Sequence, residues 1–187
     1  MQDAELLYVP VFYSAAESQL IMEHLITTIP WSQETLNFGG KRVLVPRLQA
    51  WYGDAAVKYG YSGLRLTPLP WTSTLVEIKT KIESSYDIRL NSVLLNYYRN
   101  GQDSVAWHSD NETELGPDPL IASLSLGIER KFELKRRDGA AQKVSMVLAN
   151  GSLLLMGSGL QRYWSHQIPK QPWVMQPRIN LTFRFIY

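Results

Sequence analysis

Hydrophobic and polar positions change their rhythm once along the chain. Before about residue 90 two stretches carry helical spacing. In the first, Ser14 and Glu17 form the S-x-x-E signature of a capping box ahead of AAESQLIMEHLITTI, and Pro30 stops the run, which predicts a helix over residues 14–29. In the second, Thr74 and Glu77 repeat that signature, and Leu75, Ile78 and Ile82 recur at i, i+3 and i+7, which predicts an amphipathic helix over residues 73–85. From Ser92 the period shortens to two. The runs SVLLNYYR, SVAWHSD, IASLSLG, RKFELKRR, KVSMVLA, GSLLLMG, RYWSHQI and RINLTFRFIY read as strands, with Gly, Asn, Asp or Pro in nearly every gap. At least eight strands with no helix between them exclude a parallel βαβ sheet. The expectation is a mainly β fold with N-terminal helices, built as an antiparallel sandwich, barrel or jelly roll.

Composition narrows the classes. The chain has 187 residues, 45% of them hydrophobic, enough for one core and little more, so a single domain over 1–187 is expected, with 1–90 and 91–187 as its two parts. No cysteine is present, which removes disulfide scaffolds, thiol catalysis and Cys-rich zinc sites. No run of about eighteen apolar residues occurs and the first residues lack a basic and apolar leader, so a soluble intracellular protein without membrane contact is expected. Charge is uneven beneath a net +2. Residues 1–36 carry five acids and no Lys or Arg, whereas residues 37–66 carry Lys41, Arg42, Arg47, Lys58 and Arg65 against Asp54 alone, interleaved with aromatics. Basic and aromatic residues together suit a nucleic-acid surface, although the pI of about 8.8 falls short of a strongly basic binder. A second cluster, Lys135 to Arg137, reads equally well as a solvated hairpin tip before Gly139.

Several catalytic motifs are missing: there is no GxSxG elbow and no phosphate loop, and Gly157-Ser158-Gly159 lacks the third glycine of a dinucleotide fingerprint. Of three histidines, His24 falls in the first helix, and His108 and His166 fall in the β-rich half. His108-Ser109-Asp110 is an HxD, and on a strand i and i+2 share a face. With His166, 58 residues later, it offers the two-imidazole, one-carboxylate set suited to non-haem Fe(II). An HxD alone arises readily by chance, and a strand-end His beside a surface Asp is the plain alternative. In the last run, Arg178, Asn180, Thr182 and Arg184 occupy one face and Ile179, Leu181, Phe183 and Phe185 the other. That polar face is either solvated or lines a cavity in which two guanidinium groups hold a dianion such as a dicarboxylate. Asn96 and Tyr98 share a face of the strand entering the HxD and can donate to the same ligand.

Taken in order, N-x-Y at Asn96 and Tyr98, HxD at His108 and Asp110, a distant His166, and R-x-N-x-x-x-R at Arg178, Asn180 and Arg184 resemble the AlkB family of Fe(II)- and 2-oxoglutarate-dependent dioxygenases, from about Gly40 to Tyr187. The resemblance implies a double-stranded β-helix (jelly roll) core with a nucleotide-recognition lid. It implies that His108, Asp110 and His166 bind iron and carry catalysis, and that Asn96, Tyr98, Arg178, Asn180 and Arg184 bind 2-oxoglutarate, with O2 as the other cosubstrate. Arg178 is expected at the distal carboxylate and Arg184 near the metal-bound end.

VPRLQAWYGDAAVKYGYSGL resembles the lid of the family's duplex-DNA repair members, in which aromatics and an iron-ligating His sandwich a flipped base. Tyr61 with His108 is expected to form that sandwich, Tyr52 and Tyr59 to line the pocket, Arg47 and Ser62 to contact base or backbone, and Glu112 to accept from an exocyclic amine. Core packing is the competing reading for the tyrosines. Asn37-Phe38-Gly39-Gly40-Lys41 resembles the hairpin finger of those members, with Phe38 the wedge. One departure stands out: the loop after the second His reads IPKQPWVMQPR, with Lys170 in place of a basic run. The function implied is repair of alkylated DNA, with duplex favoured, by oxidative demethylation of bases such as 1-methyladenine and 3-methylcytosine. A monomer is expected, cytoplasmic if bacterial and nuclear if eukaryotic. The alternatives are a dioxygenase acting on single-stranded DNA, RNA or another substrate, a non-catalytic β-barrel binding module, and a cupin-type zinc protein.

Overall fold

The computed structural model describes residues 3–57, 59–61, 64–139 and 141–187, with the backbone alone at 38, 59–61 and 64–66. The first half contains β1 (Leu6–Val9), α1 (Ala15–Thr28), β2 (Thr35–Phe38), β3 (Lys41–Leu44), β4 (Leu48–Gly53), β5 (Tyr59–Tyr61), β6 (Leu64–Leu66) and α2 (Ser73–Tyr86). The second half contains β7 (Ser92–Tyr98), β8 (Val105–His108), β9 (Ile121–Gly127), β10 (Arg130–Arg136), β11 (Lys143–Leu148), β12 (Leu153–Met156), α3 (Ser158–Tyr163), β13 (Trp164–Ile168) and β14 (Arg178–Arg184). All eight runs after Ser92 form strands. RYWSHQI differs at its start, because Arg162 and Tyr163 close the short helix α3 instead of opening β13.

Two antiparallel sheets face one another in a jelly roll. The larger has the order β1-β12-β9-β14-β7-β4 and the smaller β11-β10-β13-β8. Strands β1 and β4, unforeseen in the N-terminal half, supply both edges of the larger sheet. Its outer face packs on the two long helices: Leu25 of α1 and Leu75, Ile78 and Ile82 of α2 join Val93, Leu95, Leu124, Ile179, Leu181 and Phe183 in one buried cluster. The inner face meets the smaller sheet through a second cluster, among it Tyr98, Phe132, Leu134, Leu154, Leu160 and Trp164.

Strand β14 sits at the centre, paired with β9 on one side and β7 on the other. Alternation sends its apolar residues to the helices, and its polar residues therefore point between the sheets. Arg178, Asn180 and Thr182 are 1%, 7% and 7% exposed, so the solvated alternative for this face does not hold.

The same alternation corrects Tyr52. It pairs with Val93 and is 3% exposed among the helix-side cluster, so it is a core residue and lies on the opposite face of the sheet from Asn96. Its neighbours Gln49 and Trp51 take the inward face, and the Trp51 indole donates to Ser92 Oγ at 2.7 Å.

α1 begins as its sequence signature predicts: the Ser14 hydroxyl accepts from the Glu17 amide and the Glu17 carboxylate accepts from the Ser14 amide. α2 departs from expectation. Thr72, not Thr74, is its cap, with the hydroxyl accepting from the Leu75 amide at 3.3 Å and no reciprocal carboxylate. Replacing Thr72 with Ala should lower unfolding stability by about 1 kcal/mol, whereas Thr74→Ala should change it by less than about 0.5 kcal/mol. Urea denaturation of the two variants reads this; equal losses would return the cap to Thr74.

Candidate active site

Strand pairing assembles the metal-binding set. β13 pairs with β8 so that His166 stands directly opposite His108, and Asp110 follows just beyond the end of β8. One ligand atom from each of His108, Asp110 and His166 lies within 4.8 Å of the other two. The two imidazoles are 4.3 Å apart by centroid, and Phe132 closes one side of His166 at 5.3 Å. The His108 Nδ1 lies 2.8 Å from the Ala106 carbonyl. A carbonyl only accepts, so Nδ1 is the donor, and in the neutral ring the Nε2 lone pair is then left for a cation.

Electrostatics hold His166 and Asp110 in ligand form. Burial, with the neighbouring His108, pushes the His166 pKa down to about 3. At neutral pH it is therefore an unprotonated donor. Burial alone would raise the Asp110 carboxyl, but Arg184, His166 and His108 outweigh it and hold the group below the ordinary carboxylate range. Arg184 Nη2 donates to Asp110 Oδ1 at 2.6 Å.

The inward face of β14 and its neighbours form an adjoining polar chamber. Arg178 is 1% exposed; its Nη2 donates to Ser125 Oγ at 2.9 Å, while its Nε and Nη1 have no hydrogen-bond partner. Burial lowers its pKa to about 10, with Tyr98 opposing the shift, so it stays cationic at neutral pH. Its guanidinium lies 5.2 Å from the Tyr98 ring, and Arg130 stands 5.7 Å from that ring. Asn96 Oδ1 accepts from Arg47 Nε at 2.7 Å and Gln49 Nε2 at 2.9 Å, which leaves its NH2 to donate inward. Asn180 is satisfied by its surroundings, donating to Ser123 Oγ and the Leu124 carbonyl and accepting from Thr182. It braces the chamber floor.

Buried polar groups are ordinarily paired, so the exceptions are informative. The unpartnered buried atoms among the described residues are Ser18 Oγ, Glu112 Oε2, His166 Nδ1, Arg178 Nε and Nη1, and Arg184 Nε. All but Ser18 belong to residues singled out from the sequence. An iron ion fits two imidazoles and a carboxylate, and a dicarboxylate fits the spare guanidinium donors of Arg178.

Other sequence-predicted residues fall differently. Arg47 is half-buried and already engaged within the fold, its Nε donating to Asn96 Oδ1 at 2.7 Å and its Nη1 to the Ser104 carbonyl at 3.2 Å. Gly39 and Gly40, at φ +57° and +79°, turn β2 into β3 as the finger reading requires. The side chains of Phe38, Tyr59 and Tyr61, and Ser62 altogether, lie outside the described residues.

Three groups escaped the sequence reading. Gln49 and Ser125 sit beside Asn96 and Arg178, and alternation in LQAWYG and IASLSLG carried that signal. Gln161 of α3 accepts from the Asp110 amide at 2.9 Å, and no periodicity marks it. The Lys135 to Arg137 cluster now has a place. Arg136 pairs with Asp3 and Asp138, Lys135 covers Trp107 at 4.4 Å, and Arg137 reaches Ser109 Oγ at 3.3 Å between the two HxD residues. Arg137, Asp138, Arg162 and Tyr163 line an open cleft of about 340 Å³ there.

Comparisons with known proteins agree with this geometry. The family described as the 2OG-Fe(II) oxygenase superfamily matches residues 5–184. The chain is 39% identical over 187 residues to the Bos taurus protein named alpha-ketoglutarate-dependent dioxygenase alkB homolog 3, covering 95% of this chain and 65% of that one. It is 37% identical over 186 residues to the Mus musculus DNA oxidative demethylase ALKBH2, covering 94% and 78%. It thus spans just under two thirds of the alkB homolog 3 relative. A solved structure described as that of OsALKBH1 superposes with a TM-score of 0.63 at 16% identity, covering 96% of this chain and 97% of that one, a likeness of fold.

The depressed His166 pKa makes metal-free stability acid-sensitive. Unfolded, the group takes its proton near 6.5; folded, only near 3, so the stability present above 6.5 is lost as pH falls through that window. The expected slope is about 1.4 kcal/mol per pH unit at most. Urea midpoints of the chelator-treated protein at pH 7 and 5, compared with His166→Asn, should show a shallower acid loss in the variant. An unchanged slope would contradict the account.

Proposed function

The chain belongs to the 2OG-Fe(II) oxygenase superfamily, in its AlkB family, and from that premise we propose that it removes N-methyl groups from nucleic-acid bases by Fe(II)- and 2-oxoglutarate-dependent oxidation. The observation that carries this reading is the pair of arginines on one face of β14 with unpartnered buried donors, Arg178 and Arg184, the second bound to Asp110 of the His108, Asp110 and His166 group. With iron, 2-oxoglutarate and O2 bound, the site supplies oxidation of an N-methyl group to a hydroxymethyl that leaves as formaldehyde, with succinate and carbon dioxide as coproducts.

The chain's own residues hold and orient. His108, Asp110 and His166 bind the iron. Arg178 takes the distal carboxylate of 2-oxoglutarate, since it lies deepest, and Arg184 serves the metal end, since it already touches Asp110. Asn96 and Tyr98 donate from β7, and Asn180 supports the floor. The substrate is DNA, duplex by preference, with the base flipped against His108 and Tyr61, Tyr59 and Ser62 beside it, and Glu112 accepting from its exocyclic amine. The unpartnered Glu112 Oε2 supports that role. A cationic N-methylated base suits a site between an aromatic ring and a neutral imidazole. The glycine turn between β2 and β3 presents Phe38 as the wedge, and the cleft flanked by Arg137 and Arg162 suits backbone phosphates.

A single-stranded substrate is the second reading. The loop between β13 and β14 carries Lys170 alone, and Trp173 and Met175 stand 70% and 72% exposed on it, a surface better suited to stacking than to gripping an opposite strand.

Methyl loss from matched single- and double-stranded oligonucleotides bearing 1-methyladenine, followed by mass spectrometry, tests both readings. Loss that needs 2-oxoglutarate and is faster on duplex is the expected result. Phe38→Ala should then slow the duplex reaction about tenfold with little effect on single strands, as the missing wedge no longer offsets unstacking. Faster single-strand loss would select the second reading, and succinate formation without methyl loss would mean another substrate.

A further inference from the structure

The triplet Gly157-Ser158-Gly159, unsuited to a dinucleotide, has a different use. Gly157 donates to the Glu5 carbonyl at 2.9 Å, and a Cβ there would stand 2.5 Å from the Glu5 carboxylate. A Cβ on Gly159 would stand 2.7 Å from the Asp3 carbonyl. The two glycines thus let the N-terminal segment lie directly against the start of α3. Leu160 of α3 is fully buried between the sheets, and the helix is closed at its far end by the Arg137 amide donating to the Tyr163 carbonyl at 3.0 Å. The six-residue helix is thus anchored at both ends and through its middle.

Gln161 projects from this platform and is 1% exposed. Its Oε1 accepts from the Asp110 amide at 2.9 Å, and its Nε2 lies 4.0 Å from Met156 Sδ. Asp110 is therefore gripped twice, at the main chain by Gln161 and at Oδ1 by Arg184. The grips differ in kind. Arg184 fixes the carboxylate rotamer, whereas Gln161 fixes where the chain leaves β8, and hence how far Asp110 stands from the two imidazoles.

We propose that Gln161 is a positioning residue for the metal site, setting the Asp110 backbone so that the third ligand stands within reach of the same cation as His108 and His166. The proposal rests on the reading of those three residues as the iron site. Partners that orient metal ligands change metal affinity about 10- to 100-fold when removed. A residue that merely satisfies a buried amide would cost folding stability and leave affinity in the folded protein unchanged.

The test is Mn(II) affinity of the full chain, measured by electron paramagnetic resonance of the free ion, for wild type, Gln161→Met and Gln161→Glu. Met keeps the length and loses the acceptor; Glu keeps the acceptor. Gln161→Met should bind Mn(II) about tenfold more weakly or worse, and Gln161→Glu should stay close to wild type. If Gln161→Met fails to fold, Gln161→Asn, which withdraws the acceptor by one methylene, should show the same weakening. Affinity unchanged in the acceptor-lacking variant, or equally weak in Gln161→Glu, overturns the proposal. Wild-type binding that His108→Ala does not abolish would instead overturn the iron-site reading beneath it.

Discussion

The structure turns on the burial of a charged, polar face at the centre of a β sandwich. Arg178 and Arg184 of β14 lie between the two sheets, and a buried guanidinium is costly unless its donors are met. Part of the cost is offset within the fold, by Ser125 for Arg178 and by Asp110 for Arg184. Three guanidinium nitrogens among the described residues, Arg178 Nε and Nη1 and Arg184 Nε, remain without partners. The helices complete the arrangement from the other side. By covering Ile179, Leu181 and Phe183 they make β14 buried on both faces, and alternation then leaves its polar residues nowhere to go but inward.

From that constraint the chemistry follows in layers. Arg184 ties the chamber to Asp110, and the cross-strand pairing of His108 with His166 sets the two imidazoles at the metal position. Burial keeps His166 neutral while Arg184 above all keeps Asp110 ionised, so these two ligands are ready at neutral pH. Arg130 fastens the approaches: it donates to Gln171, Asn100, Asp103 and Pro169, and so joins the loop after β13 to the turn between β7 and β8. No helix among the described residues is long and apolar enough to cross a membrane.

Much of this was legible in the residues because β chemistry has a period of two. The strand pattern after Ser92 and the two faces of β14 are properties of alternation, which sequence carries directly, whereas His108, Asp110 and His166 were legible as a set through the ordered resemblance to a family, since Asp110 lies beyond the end of β8. Choices between equivalent neighbours were not legible. Trp51 and Tyr52 are adjacent aromatics, and only the register of Gln49 against Asn96 decides that Trp51 faces inward and Tyr52 faces the helices. Thr72 and Thr74 are both competent caps, and the helix takes the first, starting at Ser73. The Arg47 bond to Asn96 spans 49 residues, a pairing no local pattern carries. Gln161 and α3 were invisible for a similar reason, since a six-residue helix held by glycine contacts has no periodicity to display.

The central claim is that the unpartnered Arg178 donors and the His108, Asp110 and His166 group form one site for a dicarboxylate bound beside iron. Anaerobic titration of 2-oxoglutarate into the Fe(II)-loaded protein, followed through the visible charge-transfer absorption of the chelated complex, tests it most directly. The account predicts a saturable band at one equivalent, with half-saturation moved to much higher 2-oxoglutarate in Arg178→Ala. Absence of the band, or a band whose saturation ignores Arg178, would contradict it.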